Sequence, residues 1–503
     1  MYHAFIVSLV LVAINGLPEN DQVPRRKDAR VAIIGAGMAG LSTAARLLED
    51  GYTDFDIFEA QDKVGGRVMP VKYNDGYLQM GAQFINGERN PIYDIANKLE
   101  VIKELFPDTG HFDGASFYHG ECPVSKNDIE LFKEFVNPLD PKYRALAHQN
   151  DERTYNETLK SLYDRDYAEF LKKNHIETGF RRNVFDALTR VYSDYWEFEW
   201  ASKWEDQSLR NLIDWDDLGE IGVSYATDKF GWKAILDYIH HKIPSRHIHL
   251  NHRVGKIDYS GSRTKIWLSN GTLIPKEYDF VVVTSALGHL KLYARQMFNP
   301  PLPRKKLEQI DKIGMGGSMK IFFEWEKPFW STPDFVPLPV AGCLGRTEID
   351  PIESELTTFQ EIDWAPNILV AWIAGHGPPL MDNLDDAELS ARVTRLIRDM
   401  YRNQSIPEPK NIIRMRWTHN DLFMGSYSYV SLAQAQARIR HADLSIPVKK
   451  NGQVRVQFAG EATHYRLFEA AIGAFLSGRR EGERILNSIA TELSPVQNAT
   501  ICE

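Results

Sequence analysis

Four groups of residues in this sequence have the types and spacing to do chemistry. Gly35, Gly37 and Gly40 stand in the order G-x-G-x-x-G, and Glu59 follows 24 residues after Gly35. Such a turn brings backbone N–H groups against a pyrophosphate, and the later acid accepts hydrogen bonds from a ribose. Gly65, Gly66 and Arg67 form a second glycine turn with a cation that can bind phosphate. Lys320 lies in an apolar run, where a lysine must find partners or lose its charge. Glu461 follows Gly460 near the C-terminal end, and Glu469 is a further acid eight residues on.

The elements that must hold these groups can be read from the pattern. Residues 31–34 are a β-branched run, expected as a buried strand. Leu41, Ala44, Ala45 and Leu48 recur on one helical face, and Gly51 ends that helix. A second strand over 55–58 delivers Glu59. Strand, glycine turn, helix and terminal acid together are a dinucleotide site, with the pyrophosphate on the helix N-terminus. The Gly65-Gly66-Arg67 turn points to FAD rather than NAD. Residues 318–324 alternate with period two, so Lys320 belongs to a strand covered on both faces. On spacing alone its head can equally reach water. Residues 453–458 alternate likewise and set Glu461 at a strand end, where doubly wound sheets bind ligands.

With these motifs placed, residues 30–486 resemble the flavin-containing amine oxidases, most closely their polyamine oxidase branch (spermine and N-acetylpolyamine oxidases). The resemblance is carried by Gly81-Ala82-Gln83-Phe-Ile-Asn86-Gly87, by the run 279–288, by the lysine segment 316–330, and by the closing blocks 458–464 and 473–478. It implies an α/β chain: a discontinuous Rossmann-type FAD-binding domain (28–110, 240–300 and 411–490) with an α+β substrate-binding domain (111–239 and 301–410). By carry-over, Gly81, Ala82 and Gln83 lie near the isoalloxazine ring and Val254 on the adenine side. Glu461 binds a ribityl hydroxyl, and Ala470 and Ile472 line the cofactor. Lys320 holds a water beside flavin N5 and assists hydride loss, reoxidation or both. The implied reaction turns a cationic amine and O2 into an imine, which hydrolyses to an aldehyde, and hydrogen peroxide. No metal is expected.

Two places depart from the family pattern. Asn86 stands where relatives carry His; it can hydrogen-bond a substrate nitrogen but cannot titrate near neutral pH. Relatives place Tyr, Thr or Ser and then His before the final Gly-Ala. Here the run is Phe468-Glu469-Ala470-Ala471-Ile472. Glu469 can bind an ammonium group or sit solvated in a turn. Tyr427 and Tyr429 match the family and can pack a substrate amine, or serve as ordinary strand residues. These changes leave three readings: a polyamine oxidase, a monoamine or L-amino-acid oxidase of the same fold, and a flavoprotein without turnover.

Composition bounds the rest. The chain has 503 residues, 43% apolar and 25% charged, which is globular usage. Its net charge of −9 argues against nucleic acid and suits a cationic small molecule. The stretch 194–220 holds nine acids against Lys203 and Arg210. It is either a solvated face or, at a channel mouth, a field that concentrates polyamines. Trp196, Trp200 and Trp204 at i, i+4 and i+8 predict one helix face packed into a core. Residues 4–14 are apolar, too short to span a bilayer, and fit a secretory signal over 1–16. With sequons at Asn156, Asn270, Asn403 and Asn498, they predict a secreted glycoprotein without a stable membrane span. Of three cysteines, Cys502 in the tail 491–503 is the expected odd one.

Overall fold

The computed structural model describes residues 29–107, 112, 114, 116–216 and 223–491. The expected signal, Asn498 and Cys502 lie outside them.

Val31–Ile34 pairs in parallel with Phe55–Phe58 on one side and Phe280–Val283 on the other. Gln453–Phe458 extends the sheet in parallel beyond Phe280–Val283, and Ile248–His249 and Val448–Lys450 form its edges. Every residue of Val31–Ile34 and Phe280–Val283 is buried. Val31, Ile33, Phe280 and Val282 face one core, and Ala32, Ile34, Val281 and Val283 face another. This two-sided burial is what continuous β-branched runs are for. Helices Met38–Glu49 and Ala471–Thr491 cover the first face together. Their packing depends on small residues: a Cβ on Gly478 would lie 2.1 Å from the Ala39 carbonyl oxygen. Strands from three stretches of chain thus build one sheet, as a discontinuous nucleotide domain requires.

A second six-stranded sheet runs in the order Asn411–Arg414, Ser318–Glu324, Ala365–Ala374, Phe359–Ile362, Asp334–Pro337, Ser116–Tyr118. It is antiparallel except where its last two strands meet. Asn411–Arg414 belongs to this sheet, so a boundary at 411 cuts the chain too early. Its backbone pairs with the Lys320 strand, a contact that local sequence could not reveal. Helices Lys126–Val136, Leu139–His148, Leu159–Lys173 and Phe180–Glu199 pack beside it around a core rich in Tyr and Phe. Cys122 and Cys343 are bridged, tying the segment before the first of these helices to the loop after Asp334–Pro337.

The three tryptophans do share one core, but not one helix face. The helix stops at Glu199, Trp200 caps it, and Trp204 lies in a separate short turn of helix. The acidic stretch is also largely not a solvated face. Asp194 and Glu197 are buried around Arg190, which also pairs with Glu355. Asp206 accepts from the Tyr429 hydroxyl, Asp214 pairs with Arg210, and Asp216 with Arg466. Among the described residues no helix is long and apolar enough to cross a membrane.

Candidate active site

A cavity of about 320 Å³ runs between the two sheets, from the first glycine turn to the Lys320 strand. Gly35, Gly37, Glu59, Gly65, Gly66, Arg67, Gly81, Ala82, Gln83, Asn86, Val254, Lys320, Tyr427, Glu461, Glu469 and Ala470 all line it. Gly40, Tyr429 and Ile472 do not.

At the nucleotide end, Gly35 leaves its strand at φ +110°, a conformation that favours glycine. A Cβ there would come 2.6 Å from the Thr284 hydroxyl. Gly40 acts by packing: a Cβ on it would lie 1.9 Å from the Gly35 carbonyl oxygen. Glu59 is buried; its Oε2 accepts from the Ala36 N–H at 2.7 Å and its Oε1 from the Gln61 N–H at 2.9 Å. Burial pushes its carboxyl up, against these two backbone donors. The Gly65 N–H donates to the Ala36 carbonyl at 2.9 Å, which seats the second turn on the first.

Arg67 lines the cavity. Its Nη1 donates to Glu461 Oε1 and to the Ser426 carbonyl, both at 2.8 Å, so one of its charge partners is the second acid. Glu461 Oε2 accepts from the Ser428 hydroxyl at 2.5 Å and from the Glu469 N–H at 2.7 Å. Burial opposes its charge, yet Arg67 and the Ser428 and Glu469 donors outweigh it and hold the carboxyl below its usual range.

At the other end, the Lys320 side chain crosses to the Gly81–Gln83 loop. Its Nζ donates to the Gly81 carbonyl and to Gln83 Oε1, each at 2.8 Å, and stands 5.3 Å above the Trp372 ring. The loop can pass this close because a Cβ on Gly81 would lie 1.7 Å from the Arg67 carbonyl oxygen. Burial alone pushes the Lys320 ammonium well below its ordinary range. The neutral form that burial favours, held by two acceptors, would keep its lone pair for a water or a proton.

Around Lys320 the walls are aromatic. Phe84 stacks on Trp372 at 6.2 Å, and Phe198 meets the same ring edge-on at 4.9 Å. The Tyr427 hydroxyl donates to the Phe198 carbonyl. Asn86 Nδ2 donates to the Ser224 hydroxyl at 3.2 Å across a short strand pair. Two acids complete this end: Glu469, at φ +66°, and Glu199, the last residue of helix Phe180–Glu199. Burial first, then Glu199 and Glu461, drive the Glu469 carboxyl well above its usual range.

Two expected site residues therefore fall away. The Tyr429 hydroxyl donates to Asp206, outside the cavity. Ile472 is buried in the helix core of the nucleotide domain. The reason is period: the chain is already helical from Ala471, so Ala471 and Ala474 face the cavity and Ile472 turns inward. Phe84, Phe198, Glu199, Trp372 and Trp417 also line the cavity and carried no motif; only the neighbouring Gly81 block hinted at Phe84.

The sequence profile of the flavin containing amine oxidoreductases matches residues 38–486. The chain belongs to that family. It is an FAD-dependent amine oxidase of the polyamine oxidase-like branch. The bovine peroxisomal N(1)-acetyl-spermine/spermidine oxidase is 26% identical over 91% of this chain and 94% of its own length. Probable polyamine oxidase 5 of Arabidopsis thaliana is 26% identical over 92% and 98%. The fold matches a double mutant of putrescine oxidase with a TM-score of 0.64 at 15% identity, covering 91% and 99% of the two chains. The glycine turns, Glu59 and Glu461 fit FAD: the cavity is continuous from Gly35 to Lys320, and a Cβ on Gly460 would enter open space beside Glu461.

Proposed function

We propose that this chain oxidises polyamines (spermine, spermidine or their N-acetyl derivatives) in an oxidising, extracytoplasmic compartment. The observation that carries the substrate reading is the pair of acids, Glu199 and Glu469, among Phe84, Phe198, Trp372 and Tyr427. Carboxylates and ring faces are what protonated amines bind.

FAD, when bound, supplies the acceptor for a hydride from the carbon next to nitrogen and passes the electrons to O2, giving hydrogen peroxide. The protein supplies position and proton handling. Gly35, Gly37, Gly65 and Gly66 would let the backbone approach the pyrophosphate, Glu59 would take the ribose of the adenosine, and Glu461 would meet a ribityl hydroxyl. Lys320, uncharged and fixed by Gly81 and Gln83, holds a water or accepts a proton beside the reacting carbon. Asn86 offers a hydrogen bond to the substrate nitrogen.

Amino-acid substrates fit less well. They need an arginine facing a carboxylate. Among the described cavity residues the arginines are Arg67, bound to Glu461, and Arg253, bound to Asp421 at 2.6 Å.

The compartment reading rests on the Cys122–Cys343 bridge and on Asn156, Asn270 and Asn403, all exposed. It joins the apolar N-terminal run. The peroxisomal relatives are a different case in name, and Asn86 and Glu469 mark this chain off from the family pattern.

The deciding experiment exposes the purified yellow protein, under nitrogen, to spermine, spermidine, their N-acetyl forms, benzylamine and a panel of L-amino acids. Bleaching of the flavin by the polyamines, with peroxide on readmission of air, is expected. Bleaching by amino acids alone, or by none of these, overturns the reading. Mass analysis with and without reductant and N-glycosidase tests the compartment; free Cys122 and Cys343 with bare sequons would count against it.

A further inference from the structure

Among the described residues that line the cavity, only Glu469 has a buried side-chain oxygen, Oε2, without a hydrogen-bond partner. A buried polar atom left this way costs stability unless something arrives to meet it. The groups facing it do not neutralise it. Glu199 comes from the end of the long helix, Glu461 from the turn after the last parallel strand, and Tyr427 from the short strand beside Gly316. Lys320 is pushed toward its neutral form by burial and committed to Gly81 and Gln83, and Arg67 is committed to Glu461. This end of the cavity thus gathers three carboxyls, Glu199, Glu461 and Glu469, against one engaged guanidinium, Arg67.

Building on the amine-oxidase reading, we infer that Glu469 is the docking point for a protonated nitrogen of the substrate, that it holds a proton while the cavity is free of amine, and that it releases this proton to solvent as the cation arrives. The step balances simply. The carboxyl O–H bond breaks and its proton passes to the buffer. An N⁺–H···O⁻ hydrogen bond to Oε2 replaces it, and no electrons move. Amine binding then discharges the repulsion from Glu199 and Glu461 that favours the protonated acid.

The sign of the pH effect follows. A carboxyl raised by burial and by like charges holds its proton to higher pH than a free one, and a bound cation lowers it again. Affinity for a fixed cation therefore rises by up to about tenfold per pH unit until the free carboxyl ionises, and is flat above that.

The test uses the flavin-loaded protein under nitrogen and n-octylguanidinium, a cation that stays charged to about pH 12, carries N–H donors and has no free nitrogen lone pair to support oxidation. Calorimetry in two buffers of different protonation enthalpy counts the protons released. About one proton per cation is expected at pH 7 in the native protein and none in Glu469→Gln, which binds at least tenfold more weakly. Glu199→Gln should still release the proton, but over a lower pH range. Equal proton release by native protein and Glu469→Gln overturns the inference, as does failure of the native protein to bind the probe. The same samples, given spermine under nitrogen, separate this inference from the reading beneath it. Proton-coupled binding without bleaching removes the oxidase reading and keeps Glu469; bleaching without proton release does the reverse.

Discussion

The two ends of the cavity treat charge in opposite ways. Glu461 and Glu469 are eight residues apart in one segment and both face the cavity. Arg67, Ser428 and a backbone N–H favour the ionised Glu461, while Glu469 meets two other acids and Tyr427 and keeps an orphaned oxygen. The cofactor end is internally complete and the amine end is not. Complete pairing makes a rigid cradle, since a fully satisfied buried network has one geometry. Incompleteness leaves binding energy for a ligand that changes with every turnover.

This contrast can be broken by mutation, and Lys320→Met should break it hardest. Removing the neutral amine is expected to cost about 10²–10⁴-fold in flavin reduction, reoxidation or both, the usual range for a positioned proton acceptor. Stopped-flow traces of the two half-reactions separate them, and unchanged rates in both would sink the role. The acid limb supplies a finer check. Lys320 gains a proton as pH falls through its depressed value, so the affected rate should fall with it, and the mutant should lose that limb.

Arg67→Met attacks the complete end. It leaves Glu461 buried without its cation, which costs about 3 kcal/mol when one partner of a buried pair is removed. The expected readouts are a lower Tm and flavin lost on gel filtration, with the protein folded by circular dichroism. A flavin-saturated mutant of native Tm would show that Ser428 and the Glu469 N–H suffice alone.

Smaller effects follow from pH acting on the two acids. Glu461 is depressed, so its contribution to stability is present above its unfolded value, near pH 4.3, and is lost as pH falls through the folded value. Glu469 is raised, so it favours the folded state most below its unfolded value and weakens it as pH rises towards the shifted one. Glu469→Gln should therefore gain stability relative to the native protein as pH rises above the unfolded carboxyl's value, about 4.3. Thermal unfolding of the native protein and of Glu469→Gln across that range tests the opposition; parallel curves would erase it.

The smallest expected effect is that of salt. Because Asp194 and Glu197 are buried around Arg190, and Asp214 and Asp216 pair with Arg210 and Arg466, less of this stretch's charge is left on the surface to steer a cation. Raising ionic strength from 20 to 200 mM should raise KM for spermine by no more than about threefold. A tenfold rise would restore the steering role that the sequence suggested for this stretch.

What could be read from the sequence was local. The glycine turns, Glu59, the Lys320 strand and the strand end at Glu461 each carry their own periodicity or spacing, and each stands where that pattern puts it. Glu199, Phe198 and Trp372 were invisible because a helix end and a middle strand carry no sign of the cavity they meet. Tyr429 shares its strand and face with Tyr427, but the cavity stops between them. Ile472 was lost by one helical step. The acidic stretch misled because charge composition does not reveal that Arg190 lies inside a ring of Asp194, Glu197 and Glu355.

The packing of the first helix on the last has a consequence for synthesis. The Thr43 hydroxyl donates to the Gly478 carbonyl across 435 residues of chain. At about 5–20 residues per second, Gly478 leaves the ribosome roughly 20–90 s after Thr43. Until then Leu41, Ala44 and the strand beneath lack their cover, and Glu461 does not yet exist. FAD capture is thus a terminal event of the chain's biogenesis. A truncation that removes only the last helix should yield colourless, chaperone-bound protein rather than a weaker enzyme.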